Sequence, residues 1–143
     1  MKKLLASRRR ILGMRDTQLR IATGDSAVAR GAEDTLRQRR RQLKSIAAHM
    51  HEAGNACREG RALHAQLELV DRLRHADDGM AQTIDEARQR TAEMERQRIA
   101  AFQKREMADR LAGRAAAQVE IEIDRKIANQ PRAVPRRSME SRP

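Results

Sequence analysis

Four side chains at helical spacing hold the sequence's densest combination of metal-capable groups: His64, Glu68, Asp71 and His75, separated by steps of 4, 3 and 4. On a helix all four share one face, and a His with a carboxylate one turn away can chelate zinc. Asp85 or Glu86 could add ligands if the chain folded back. The same four residues also read as the polar flank of the apolar seam Leu63, Leu67 and Val70, and no second His-bearing stripe faces them. His49 and His51 are two apart and diverge around a helix. The expectation is therefore no metal site. Cys57 is the only cysteine. It excludes an internal disulfide and falls at a seam position, where a thiol packs as a small apolar group.

Other chemistries lack their parts. Asp77-Asp78 and Asp85-Glu86 pair carboxylates, but on exposed helix or turn with no pocket to perturb them. Gly24 and Gly31 lack the Lys-Ser/Thr of a phosphate loop. There is one Phe and no Tyr or Trp, which excludes the aromatic platforms of base-stacking modules. No enzyme and no cofactor is expected.

The elements that would carry these residues are helical. Of 143 residues, 26 are Arg, 24 Ala, 11 Leu, 11 Glu and 5 Lys, about the share found in coiled coils. Leu, Ile, Val and Phe together are too few for a compact globular core. Apolar residues recur at Leu43, Ile46, Met50, Ala53 and Cys57, an alternation of 3 and 4 that defines a heptad seam. It extends upstream through Val28, Ala32 and Leu36 and downstream through Leu63, Leu67, Val70 and Leu73. A second seam runs Met80, Ile84, Ala87, Thr91, Met94 and drifts through Ile99, Phe102, Met107, Leu111, Ala115, Val119, Ile123 and Ile127.

Between the seams, Asp77, Asp78 and Gly79 read as a turn. The expected fold is all-α: a long antiparallel two-helix coiled-coil hairpin over 1–128 with a disordered basic C-terminal tail. Helix 1 covers about 26–75, the turn 76–79 and helix 2 about 80–128. Each arm would be about 75 Å long. Folding at that turn sets residues totalling about 155 opposite one another, such as Val28 with Ile127 and Leu43 with Leu111. Residues 1–23 would overhang as a basic helical extension with a stripe of Leu4/Leu5, Ile11/Leu12, Leu19 and Ala22. Thr23-Gly24-Asp25-Ser26 either breaks the helix or lies within one continuous helix. Pro131 ends helix 2, and residues 129–143 form the tail.

Net charge is +11 and uneven. Residues 1–60 carry net +8, residues 61–130 none and residues 131–143 net +3. Such basicity allows salt-sensitive, sequence-independent nucleic-acid binding, but no DNA-reading motif accompanies it. No apolar run is long enough to span a bilayer, and Arg8-Arg9-Arg10 interrupts any signal-peptide reading. Neither specific nucleic-acid binding nor stable membrane insertion is expected.

The Lys/Leu/Arg-rich start Met1-Lys2-Lys3-Leu4-Leu5-Ala6-Ser7-Arg8-Arg9-Arg10, the hairpin, the scarcity of aromatics and the basic tail together resemble the FliJ/YscO family of type III secretion and flagellar export proteins. The virulence-type, YscO-like branch is the nearer. That resemblance implies a cytoplasmic central stalk at the cytosolic face of the inner-membrane apparatus. It would bind the hexameric secretion ATPase, reach the cytoplasmic domain of the export gate, and in some members engage export chaperones. Carried onto this chain, Arg8, Arg9, Arg10 and Arg15 become the ATPase contact, and the turn at Asp77, Asp78 and Gly79 the projecting end. The alternatives are a basic helical nucleic-acid-associated protein and a dimerising coiled-coil scaffold or chaperone.

Overall fold

A computed structural model describes residues 2–55 and 60–130. It contains two helices, α1 (Lys2–Asn55) and α2 (Gly60–Ala128). Cross-helix bonds join Met50 to Gln66, Arg40 to Asp77, Ser26 to Glu95 and Asp16 to Arg105, so the helices run antiparallel. The all-α hairpin expected from the heptads is the fold observed. Pro131 accounts for the end of α2, where Asn129 N–H still donates to the Arg125 carbonyl at 3.0 Å. The tail beyond Gln130 and the seam position Cys57 lie outside the described residues.

The reversal is not at 76–79. Asp77, Asp78 and Gly79 are helical, well inside α2, and the chain turns back between Asn55 and Gly60. Asp77 stays in the helix because it has a tertiary partner: Arg40 grips its carboxylate with two hydrogen bonds of 2.8 and 3.1 Å. The Gly79 carbonyl accepts the Thr83 hydroxyl at 3.1 Å, and one exposed helical Gly costs only about 1 kcal/mol relative to Ala. The signal for the true reversal was Gly54-Asn55 followed by Gly60.

Moving the turn changes the whole register. Pairs whose numbers total about 120, not 155, now stand level with each other. Apart from Asp16 beside the seam, the positions of α1 that are not exposed are Leu5, Arg8, Leu12, Arg15, Leu19, Ala22, Ser26, Ala29, Glu33, Leu36, Arg40, Leu43, Ala47, Met50 and Gly54, an unbroken 3–4 alternation. Those of α2, apart from Ala81, Glu95, Glu106 and Ala116 beside the seam, alternate 4–3 from Gln66 through Val70, Leu73, Asp77, Met80, Ile84, Ala87, Thr91, Met94, Arg98, Ala101, Arg105, Ala108, Ala112, Ala115 and Val119 to Glu122. A strict seven-residue period over this length imposes a coiled-coil seam.

The seam fills by setting large against small. Leu5, Leu12 and Leu19 stand level with Ala115, Ala108 and Ala101, and Met50 with Val70. The residues buried most completely are small: Ala115 is 1% exposed, and Ala29, Ala108 and Ala112 join it, with Val70 and Ile84 as the larger members. Small seam residues let helix axes approach toward the lower end of the usual 8–10 Å. At Gly54 the approach is close enough that an added Cβ would meet the Gln66 side chain at 3.2 Å.

The second seam holds from Met80 to Met94, departs from expectation from Ile99 to Leu111, holds again at Ala115 and Val119, and loses Ile123 and Ile127, which are exposed. Ile99, Phe102, Met107 and Leu111 are exposed, and Arg98, Ala101, Arg105 and Ala108 take the seam. In α1 the expected members Val28, Ala32, Ile46 and Ala53 face outward, replaced by Ala29, Glu33, Ala47 and Gly54. In α2, Leu63 and Leu67 are also exposed. Strict heptad geometry prevailed over local hydrophobicity.

Residues 2–23 do not overhang. They are packed beside roughly 97–118, and α1 continues through Thr23-Gly24-Asp25-Ser26 without a break. Ser26 does not cap a helix: it is 2% exposed and its hydroxyl reaches across to Glu95. The overhang belongs to α2, whose residues beyond about 118 extend past Lys2.

Candidate docking surface

The hairpin has two flanks beside its seam. With Leu5 of α1 and Val70 of α2 at heptad position a, one follows positions e and b, the other positions g and c. The e flank is built of ions. Glu95 is its hub: it accepts from the Ser26 hydroxyl at 2.9 Å, from Arg30 at 2.8 Å and from Arg98 at 2.6 Å. These donors, the Arg98 guanidinium foremost and then the Ser26 hydroxyl, hold the Glu95 carboxyl down to about 2, against a smaller opposing effect of desolvation. Arg105 sits between two acids, donating to Asp16 at 2.9 Å and standing 3.9 Å from Asp109. The hydrogen bond from Arg40 likewise holds Asp77 below its ordinary value. Glu33, 8% exposed at a seam position, is neutralised by Arg37 one turn on, at 2.5 Å.

Near Arg40 the e flank becomes basic. Arg37, Arg41 and Lys44 line an open groove there with Asp34 and Ile84. The grooves of the other flank are apolar. One is lined by Val28, Ala29, Ala32, Ala87 and Met94 between Asp25 and Arg90, and another by Ile46, Met50 and Ala53. All are shallow channels along the helix–helix boundary, unlike the enclosing pockets of small-molecule sites.

The four arginines proposed as a partner contact divide into two pairs. Arg8 and Arg15 are half-buried seam residues: Arg8 donates to the Leu111 carbonyl and Arg15 to Gln18 Oε1, both at 2.8 Å. Arg9 and Arg10 are exposed, as are Lys2, Lys3 and Arg20. The outward basic surface at the hairpin's open end is therefore Lys2, Lys3, Arg9, Arg10 and Arg20. Sequence reading included Arg8 and Arg15 because a run of arginines does not say which members a heptad turns inward.

His64, Glu68, Asp71 and His75 lie on an exposed face of α2, where Glu68 pairs with Arg72 at 2.6 Å and Asp71 with Arg74 at 3.6 Å. Among the described residues no three His, Cys, Asp or Glu side chains converge as a metal-holding group. No helix of the described residues is long and apolar enough to cross a membrane. Comparison with protein-family models, curated proteins and solved structures returns no match.

Proposed function

We propose that this chain is a non-enzymatic central-stalk component of a bacterial type III secretion apparatus, working in the cytoplasm at the inner-membrane face. The observation that supports the reading is the form of the open end. The start of α1 lies there beside α2, which runs on past it to Ala128, and α1 begins with Lys2, Lys3, Arg9 and Arg10 turned outward. A stalk needs length and helical ends more than a pocket. At about 1.5 Å per residue, α1 alone is about 80 Å long. The open end would enter the pore of the hexameric secretion ATPase, where the cationic start of α1 meeting an acidic lining gains association rate and register. The opposite end, between Asn55 and Gly60, would project toward the export gate, in place of Asp77-Asp78-Gly79. Export chaperones are the remaining partner of this reading.

The test is capture with a C-terminally tagged protein from nuclease-treated lysate, followed by binding to the purified ATPase. Reversing Lys2, Lys3, Arg9 and Arg10 to Glu abolishes ring binding if the reading holds. Unchanged binding, or no ATPase in the capture, defeats it. Arg8→Glu is a poor probe, because it also removes the bond to Leu111.

A further inference from the structure

The outer face of α1 carries a second apolar stripe that the hairpin leaves uncovered. The doublets Leu4-Leu5 and Ile11-Leu12 each send one residue into the seam and one outward. The outward members continue as Leu4, Ile11, Met14, Ile21 and Val28, between 41% and 73% exposed. Their positions, with Ser7, Gln18 and Asp25 between them, repeat the steps 3, 4, 3, 4 of the seam itself. A helix with two heptad stripes can serve two seams at once. Met107, Leu111 and Ile121 of α2 are exposed on the same g and c side.

We infer that this stripe is the contact between two copies of the chain, packed with their α1 helices antiparallel about residue 16. Two observations select a second copy as the occupant. The stripe is complementary to its own reverse. Turned end for end about residue 16, Leu4 faces Val28, Ser7 faces Asp25, Ile11 faces Ile21 and Met14 faces Gln18. Most apolar positions meet apolar ones, and the one charge on the stripe meets a hydroxyl that can donate to it. Charge then selects the direction. Residues 2–15 hold six cationic side chains and no acid. A parallel pair would stack those six against their duplicates. The antiparallel pair moves Lys2, Lys3, Arg9 and Arg10 away from their duplicates, leaving Arg15 as the one cation near its own copy, and brings Asp25 of each copy beside Arg10 of the other. The contact is isologous, so it closes at two copies. About 37 Å of helix takes part, at 1.5 Å per residue. The interface is independent of the export reading. It occupies the same end of the molecule, so a dimer withholds that end from any ring.

Sedimentation equilibrium of the full chain, followed by refractive index because the chain lacks Trp and Tyr, tests it. The expected result is a reversible dimer of the 16.3 kDa chain. Ile11→Asp with Ile21→Asp abolishes it while circular dichroism stays helical. Disulfide capture tests the geometry without burdening the fold. In a Cys57→Ser background, an Ile11→Cys chain mixed with an Ile21→Cys chain forms a mixed disulfide on oxidation, because facing positions lie within bonding range. Neither chain alone does so efficiently. A monomer at the highest soluble concentration overturns the proposal, and so does a homodisulfide of Ile11→Cys, which would mean parallel helices. A dimer that appears only after deletion of residues 131–143 also overturns it for the full chain, since the tail would then be the occupant.

Discussion

The two flanks of this hairpin solve the same problem with different forces. Both border one thin seam, and both must keep two helices in register. The e flank does it with ions: Arg30 and Arg98 on Glu95, Arg105 between Asp16 and Asp109, Arg40 on Asp77. Each pair is partly exposed, so its worth in stability is modest, but a misregistered pairing would strand or oppose these charges. The g flank carries none of these cross-helix ion pairs and many outward apolar residues, Leu4, Ile11, Met14, Ile21 and Val28 on α1 with Met107 and Leu111 on α2. Apolar surface is non-directional and does not select a register by itself. The ionic flank therefore decides how the hairpin folds, and the apolar flank is left for something else to cover.

The seam carries the largest expected effects. Ile84→Ala should cost about 2 kcal/mol, because Ile84 is one of the two larger side chains in the buried set. Thermal melting by circular dichroism, at a concentration below any association, reads it directly. Ala115→Leu should cost about 1–2 kcal/mol by overfilling a position that is 1% exposed and level with Leu5. A stabilising result there would mean that the open end is loosely packed.

Acid sharpens the contrast between flanks. Glu95 has a folded value of about 2, below the roughly 4.3 of an unfolded glutamate. Between those values the unfolded chain binds more protons, so stability rises with pH. Its contribution is fully present above about pH 4.3 and is lost as pH falls toward 2. Glu95→Gln should flatten the melting temperature in that window and lower it at neutral pH. A parallel acid slope in the variant would remove Glu95 from its role as the hub.

The next effect has the opposite sign. Gly79→Ala should stabilise by about 0.5–1 kcal/mol, since Gly79 is helical and an added Cβ meets nothing within 4 Å. A destabilising result would point back to a turn at Asp77-Asp78-Gly79. The smallest change belongs to Ile99→Ala. Ile99 looks like a seam residue in the sequence but is 45% exposed, and its loss should stay within about 0.5 kcal/mol.

These variants also mark what could be read before any coordinates. The stretch from Met80 to Met94 was legible because its apolar residues coincide with the heptad, and the end of α2 because proline excludes continuation. Ile99, Phe102 and Val28 misled for one reason: they are apolar residues beside the seam, and hydrophobicity alone does not distinguish a seam position from its neighbour. Asp77 misled for another. Its tendency to turn or cap is a local property, and Arg40, 37 residues away in sequence, overrides it. The basic arm was legible as a charge cluster, but its division into inward Arg8 and Arg15 and outward Arg9 and Arg10 follows only from the phase of the seam.

Composition and periodicity by themselves determined that this chain is helical, elongated, thinly cored and basic at its start. Those properties sum over local contributions, so a local reading captures them. Where the chain reverses, which residues stand level and which flank is ionic were decided only by the tertiary structure. A seven-residue repeat fits its partner equally well after a slip of one heptad. The long-range pairs, Ser26 with Glu95 and Arg40 with Asp77 among them, and the fit of large seam residues against small ones remove that degeneracy.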